Sequence, residues 1–586
     1  MNNSIKPEDL TKGSSAGALR PTLAGLENMV SCGHYLASHA AFEILQAGGN
    51  AVDAGVAAGI ALGVVQSDVV NFAGVAPILV YSAETKKVWS ISGLGGWPAA
   101  ASLDFFLKEC NGTIPAGILR TVIPAAPDAW ITALERFGTM SFSDVSKAAI
   151  RFADQGFVMY PLMSEMIKTH LEGYSRWPSS AEIYLPQGRP PEPGEIFRQQ
   201  DLARTIQYMA DQERSVSSQG RDKGLKAARD AFYKGDIARS IVDYHNQHGG
   251  LLQLSDMASF SVEVTEAIST TFHGTQIYSC DFWCQGPVLL QMLNILEGSE
   301  LKTLKHNSPE YIHLLTEAIK LSFADREAYY SDPKEGRVPK DALLSKAYAA
   351  QRLAQISRDN AWPGMPPAGN LPGKGQITPD REEQKNSRTD PAIDTSYVAV
   401  VDKHGNAFSA TPSDGSYNTP VIPGTGLCPS ARGAQSWAQA GHAAAIAAGR
   451  RPRLTPNPSL AIQPGGYVMP FGTPGGDVQC QSMLQTFLNM ELFDMTLQQA
   501  VEAPRFACFS FPSSFEPHVI QSGKLMLEDE IDGEVARQLS MLGHKTESWG
   551  SLNWRAGSVC MVKHEIASDI RWGAADPRRP SYALGW

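Results

Sequence analysis

The stretch "RTDPAIDTSYVAVVDKHGNAFSAT", residues 388–411, decides how the rest of the chain is read. Alternation in "SYVAVVD" and "AFSAT", on either side of "KHGN", predicts two antiparallel strands joined by a Gly-containing turn. Centring that turn between His404 and Gly405 sets Thr395 opposite Ser413 or Asp414 in the "TPSDG" that follows the second strand. The first strand opens on Asp394-Thr395, straight out of a polar tract. Thr395 is then either an ordinary strand threonine, the commoner state of that residue, or the new N-terminus of a chain cut before it. In the second case its freed α-amine can act as the base for its own weakly nucleophilic hydroxyl, and a neighbouring hydroxyl or carboxylate would orient that amine.

Upstream, residues 357–394 are rich in Pro, Gly and charge without an apolar period, the composition of a mobile linker. Residues 1–25 are small and polar and are expected to form a loose tail. From residue 33 the pattern predicts two helices broken at Gly48-Gly49, with Asn50 capping the second. Helical periodicity returns over 126–155, 200–250 and 309–330, and the tract "YIHLLTEAIKLSFADREAYY" reads as a core helix. His245 and His248 fall at a helix C-terminus, where donor side chains are favourable. Strands are expected near 460–472 and a helix over 478–503. Strands and helices in blocks, with no internal repeat, point to a layered sheet protein.

Composition narrows the function. The 586 residues carry a net charge of −10 with no dense basic cluster, which speaks against nucleic acid as a partner. The apolar run 54–65 is too short to cross a bilayer, so no membrane partner is expected. Eight scattered cysteines and an N-terminus without a secretion pattern suit a reduced cytoplasmic protein. "CDFWC" at Cys280 and Cys284 lacks the spacing and second ligand pair of a zinc site, and no metal or organic cofactor is expected.

A second element, "FGTPGGD" at 471–477, joins a strand to a helix through Pro474 and Gly475-Gly476. Open backbone N–H groups in such a loop can stabilise an oxyanion, although most Gly-Gly turns are only turns. Asp477 would cap the helix or touch substrate. The "TPSDG" after the second strand has Thr411 where a G-x-S-x-G elbow needs its first Gly, and no P-loop or dinucleotide fingerprint follows a strand. Tyr397 and Asn406 are expected to be structural.

Taken in order, "AGGNAVDAGVA", "FADREAYYSDP", "DTSYVAVVDKHGNAFSAT", "GTPGGD", "VEAPRF" and "ADPRR" resemble the gamma-glutamyltranspeptidase family of N-terminal nucleophile hydrolases, from about residue 28 to 586. The resemblance implies an α+β fold, a four-layer αββα sandwich made from one self-cleaved precursor. The cut would fall between Asp394 and Thr395, giving a large chain of 26–394 behind its tail and a small chain of 395–586. It further implies Thr395 as nucleophile, Gly475 and Gly476 as oxyanion hole, and Ser413 in the place of the family's second threonine. The partners implied are a small-molecule amide and the two chains of the same precursor; the oligomeric state, including a homodimer of the cut heterodimer, stays open.

The departures concern the substrate clamp. Where the family holds a glutamyl carboxylate with arginine, this chain has Leu94; the family's asparagine is Gly415, its acidic residue Gln435, and its Ser-Ser pair Thr455-Pro456. At about 1.5–3 kcal/mol per charge-assisted contact, losing several costs on the order of a thousandfold in affinity for a glutamyl group. The expected function is therefore a self-processing amide hydrolase or acyltransferase acting on a non-glutamyl acyl group, similar to the acylase branch. Arg432 would be a replacement carboxylate anchor or else a surface loop residue; Asp414 would touch substrate or merely close a turn. The alternatives are a true gamma-glutamyltransferase or glutathione hydrolase, and an uncut scaffold or binding protein.

Overall fold

The computed structural model describes residues 18–336, 338–375 and 394–586. Two seven-stranded antiparallel sheets form the centre. We number their strands β1 Leu23–Gly25, β2 Met29–Cys32, β3 Ile78–Tyr81, β4 Val88–Ile91, β5 Val264–Glu266, β6 Ile268–Phe272, β7 Thr275–Ser279, β8 Val398–Val401, β9 Ala407–Ala410, β10 Ser459–Gln463, β11 Tyr467–Gly472, β12 Cys560–Glu565, β13 Ile570–Ala575 and β14 Tyr582–Gly585. The first sheet runs β14-β2-β8-β9-β3-β4-β5 and the second β1-β13-β12-β11-β10-β7-β6. Each sheet takes strands from both sides of Thr395, so the two parts of the sequence build both sheets together.

Strand β8 shows why the sheets stack. Every residue from Tyr397 to Val401 is buried, because alternate side chains serve two different cores. Val398 and Val400 join the helical side, with Val30, Val80 and Phe408. Tyr397, Ala399 and Val401 face the second sheet, with Leu460, Val468 and Val562. A third core, including Ala461, Met469 and Phe471, lies between the second sheet and its own helices. Three apolar interfaces make four layers, αββα.

On the first sheet lie helices α1, Tyr35–Gln46, and α2, Ala51–Val65. Asn50 caps α2 by accepting from Val52 N and Asp53 N, and Asp53 answers by accepting from Asn50 N at 2.9 Å. The Ala/Gly composition of α2 follows from its fully buried position. A β-carbon at Gly55 would fall 2.1 Å from the Phe408 ring, so only glycine lets the helix lie this close to β9. Over the second sheet lie α3 Gly286–Glu297, α4 Pro309–Tyr329 and α5 Gln479–Phe493. The apolar run 54–65 lies within α2, and among the described residues no helix is long and apolar enough to cross a membrane.

Several expectations are corrected. Leu23–Gly25, assigned to a loose tail, pairs with Arg571–Gly573 and forms the edge of the second sheet. The linker expected over 357–394 is docked in its first half: Tyr329 Oη donates to Gly369 O at 2.5 Å, Asp325 accepts from Gly369 N at 2.9 Å, and Lys320 Nζ donates to Trp362 O at 2.6 Å. Polar composition hid these contacts because α4 supplies polar partners from inside the core; residues 376–393 lie outside the described part. The tract 126–155 is helical as expected, in two helices, Ala126–Phe137 and Phe142–Gln155, the second capped by Ser141. The tract 478–503 likewise breaks at Asp494, whose φ of 52° ends α5.

Candidate active site

The hairpin register places the two hydroxyls. Val398 pairs with Ala410 and Ala399 with Ser409, and Ser396 N continues the ladder to Pro412 O at 3.0 Å. One step further, Thr395 Oγ1 lies 2.6 Å from Ser413 Oγ. Of the two partners left open by the sequence, geometry selects Ser413. Thr395 is fully buried; its N–H donates to Val69 O at 2.9 Å and its carbonyl accepts from Arg579 Nη1 at 3.4 Å. The chain is uncut here, and Thr395 sits at φ 98° with Asp414 beside it at φ 128°. Both lie where residues bearing a β-carbon are strained, at a typical cost of about 1–3 kcal/mol each. Val69 O holds both, accepting from Asp414 N at 3.2 Å as well.

Arg432 ties this corner together. It is 1% exposed, which removes the surface-loop alternative, and lies in the short 3-10 turn Arg432–Gln435. Nη2 donates to Asp394 Oδ2 at 2.5 Å and also to Ser413 Oγ, while Nε stands 3.2 Å from Asp414 Oδ1. Thr395 Oγ1 in turn donates to Asp394 Oδ1 at 3.0 Å. The donors therefore run in one direction, from Arg432 to Ser413 to Thr395 to the Asp394 carboxylate. That order leaves the threonine hydroxyl with its proton on a base and a donor behind it. Asp414 accepts from Ser430 Oγ at 2.7 Å and Ala431 N at 3.2 Å. Burial pushes its carboxyl up to about 6, against the pull of Arg432 and helped by the nearby charge of Asp394.

The glycine loop approaches from the other sheet. A β-carbon on Gly472, the last residue of β11, would lie 2.3 Å from the Tyr397 ring, so the two strands touch just before Thr473 and just after Thr395. Gly475 and Gly476 then turn with φ of 128° and 55°. Gln285 Nε2 donates to Gly476 O at 2.8 Å and Val478 N to Gly475 O at 3.0 Å, which fixes the carbonyls. Neither glycine N–H donates to another described residue, and both glycines line a cavity of about 560 Å³ shared with Arg120, His170, Tyr417 and Phe515. A larger cavity, about 860 Å³ and lined by His313 and Leu353, holds none of the predicted site residues.

Other predicted residues take different places. Leu94 is buried in the core between the sheets with Val75 and Leu454 and is not among the residues lining the 560 Å³ cavity. Gln435 and Thr455 bond to each other, Nε2 to Oγ1 at 2.8 Å, and Thr455 O accepts from Gln285 at 3.0 Å. They support the glycine loop from behind instead of facing the cavity. Asp477 does not cap a helix: it pairs with Arg326 at 2.5 Å, accepts from Ser514 N at 2.8 Å and lines the 560 Å³ cavity. Tyr397 bonds Ser409 at 2.6 Å and Asn406 bonds Asp402 at 3.0 Å, both structural contacts.

Residue-by-residue reading missed Arg579 and the Asp68-Val69 turn. Arg579 stands in "ADPRR", whose double arginine was the available signal. Burial raises the Asp68 carboxyl to about 7 and lowers Arg579 to about 10, and the charges of the two attract. Among the described residues, His313, Glu317 and His544 bring three metal-type ligand atoms within 4.8 Å of one another. Glu317 is already paired with Lys320 at 2.8 Å and His313 with His544 at 2.9 Å, and of the three only His313 lines the larger cavity.

A four-layer αββα sandwich with a threonine at the head of a central strand is the architecture of the N-terminal nucleophile hydrolases. Within that class the chain belongs to the gamma-glutamyltranspeptidase family, whose model matches residues 37–586. It is 32% identical over 539 residues to the Acylase ACY 1 proenzyme of Pseudomonas sp. (strain SE83), covering 89% of this chain and 88% of that one. The Glutathione hydrolase-like YwrD proenzyme of Bacillus subtilis is 28% identical, over 97% of this chain and 100% of its own. The crystal structure of cephalosporin acylase from Bacillus halodurans superposes with a TM-score of 0.83 at 25% identity, over 97% of each chain. Relatives thus include acylases and glutathione hydrolases, and these are named as proenzymes.

Proposed function

We propose that this protein is a self-processing amide hydrolase with Thr395 as its N-terminal nucleophile. The observation that carries the reading is the 2.6 Å contact of Thr395 Oγ1 with Ser413 Oγ, at a strained, buried Asp394–Thr395 junction. In processing, Thr395 Oγ adds to the Asp394 carbonyl carbon, the peptide C–N bond breaks, and the hydroxyl proton ends on the departing nitrogen. Water hydrolyses the resulting ester, leaving Asp394 as one chain end and a free threonine amine as the other. In turnover that amine takes the Oγ proton and passes it to the leaving amine of the substrate. The Gly475 and Gly476 N–H groups stabilise the oxyanion, an effect typically worth about 2.7–4 kcal/mol per donor. Ser413 orients the amine.

The acyl group is not a standard gamma-glutamyl unit in this reading. The position of the family's arginine is an apolar core residue, Leu94, and Gln435 and Thr455 bond each other. Arg432 is the cation paired with Asp394 beside the nucleophile, with Arg579 on the Thr395 carbonyl. Intact-mass measurement is the direct test. The 63.3 kDa chain should yield two species of roughly 43 and 21 kDa, in proportion to 394 and 192 of 586 residues. Thr395→Ala should stay whole and inactive. An active parent that remains uncut overturns the processing step.

A further inference from the structure

In the uncut chain the carbonyl that Thr395 attacks belongs to Asp394, whose own side chain is held by Arg432. Under the reading above Thr395 is the nucleophile in both processing and turnover, and the Asp394 carboxylate pairs with Arg432 at 2.5 Å. From the attacked carbonyl carbon, covalent connectivity carries the Asp394 chain through Cα and Cβ to a carboxylate carbon. This is the skeleton of a succinyl group, four carbons with a carboxyl at each end. We propose that Asp394 is a template for the substrate, and that the enzyme takes succinyl-type amides whose free carboxylate binds Arg432 where the Asp394 carboxylate now lies. The inference rests on the amide-hydrolase reading above and names its substrate class.

Arg432 has the features of such a receptor. It is buried, and its Nη1 donor has no hydrogen-bond partner among the described residues, so the guanidinium fork can donate to a second carboxylate oxygen. Its guanidinium lies 5.5 Å from the ring of Phe515, which lines the 560 Å³ cavity together with Ala434, two residues beyond Arg432. The site is thus one layer behind the wall of the cavity that Gly475 and Gly476 also line. Once the ester is hydrolysed, Asp394 is a chain end no longer held over the nucleophile, and the buried cation loses a partner. Asp414 remains, at 3.2 Å from Nε, but it is also engaged by Ser430 and Ala431. An incoming carboxylate restores the lost pair. A chain one methylene longer overshoots Arg432, and one without a carboxylate leaves it unpaired.

The chemistry balances without a further reactant. Thr395 Oγ forms an ester with the succinyl carbonyl, the amide C–N bond breaks, and the amine leaves with the proton relayed by the threonine nitrogen. Water then releases succinate and restores the hydroxyl.

The test compares succinyl, glutaryl, butyryl and gamma-glutamyl p-nitroanilides on the purified, processed enzyme. Succinyl should exceed butyryl in kcat/KM by roughly 10- to 100-fold, the worth of one charge-assisted contact, with glutaryl between. In Arg432→Gln the succinyl-to-butyryl ratio should fall towards one, whatever the absolute rates. Should that variant fail to fold or be cut, free succinate against the parent decides: it should inhibit competitively where butyrate does not. A cut enzyme that hydrolyses butyryl and succinyl amides equally, and that succinate does not inhibit, overturns this inference alone. A protein that is neither cut nor active on any amide overturns the reading beneath it.

Discussion

Removal of the Ser413 hydroxyl is the perturbation whose size the structure defines best. Ser413 Oγ lies 2.6 Å from Thr395 Oγ1 and accepts from Arg432 Nη2, so Ser413→Ala breaks the donor sequence at its middle. The residue is fully buried, which means that water does not replace the lost group at no cost. Arg432 keeps Asp394 at 2.5 Å, so the cation is not orphaned and the fold should survive. What is lost is one hydrogen bond to the nucleophile, backed by a charged donor, worth about 1.5–3 kcal/mol. If that interaction is made as the threonine attacks, cleavage slows by about 10- to 150-fold, at 1.36 kcal/mol per factor of ten. The assay is the fraction of intact precursor against time after translation is stopped, read by mass, with thermal unfolding of the uncut form as a control for stability. Ser413→Thr, which keeps the hydroxyl, should retain most of the rate. Cleavage of Ser413→Ala at the parent rate, with unchanged stability, would show that Ser413 is only a strand-end residue.

Further outcomes are expected from the packing and the electrostatics. Gly472→Ala would drive a methyl into the Tyr397 ring and should lower stability by about 1–3 kcal/mol in urea titration; an unmoved midpoint would mean that the sheets are free to part there. Asp68, raised to about 7 by burial, holds in the folded state a proton that an unfolded chain releases near pH 4. Its contribution to stability is full at low pH and is lost as pH rises through about 7. The parent should therefore lose more stability than Asp68→Asn between pH 5 and pH 8, and parallel slopes of midpoint against pH would refute the shift. Leu94→Arg should unfold or severely destabilise the protein without conferring gamma-glutamyl hydrolysis, because it buries an unpaired cation among Val75 and Leu454. Recovery of that activity in a stable variant would place Leu94 on the cavity after all.

Local chemistry was legible wherever it depended on near neighbours in the chain. The 398–410 hairpin, the Asn50 cap and the core character of the 309–329 helix all follow from periodicity and turn residues acting over a few positions. The alternation of β8 also put Thr395 opposite Ser413 or Asp414 before any coordinates, because strand pairing is a matter of counting. Composition failed for segments whose partners come from elsewhere. Leu23–Gly25 becomes a strand only because Arg571–Gly573 offers its edge, and residues 357–375 stay in place only because α4 buries polar groups that reach them.

The sequence by itself determined where a threonine could head a strand and that a glycine turn follows a second strand. Only the tertiary structure decided what surrounds that threonine. Arg432 meets Asp394, Gln285 fixes the glycine loop and Arg579 reaches the Thr395 carbonyl across separations of 38, 191 and 184 residues. Such contacts are set by how two sheets stack, and stacking is governed by the summed burial of many side chains, none of which carries the address of its partner.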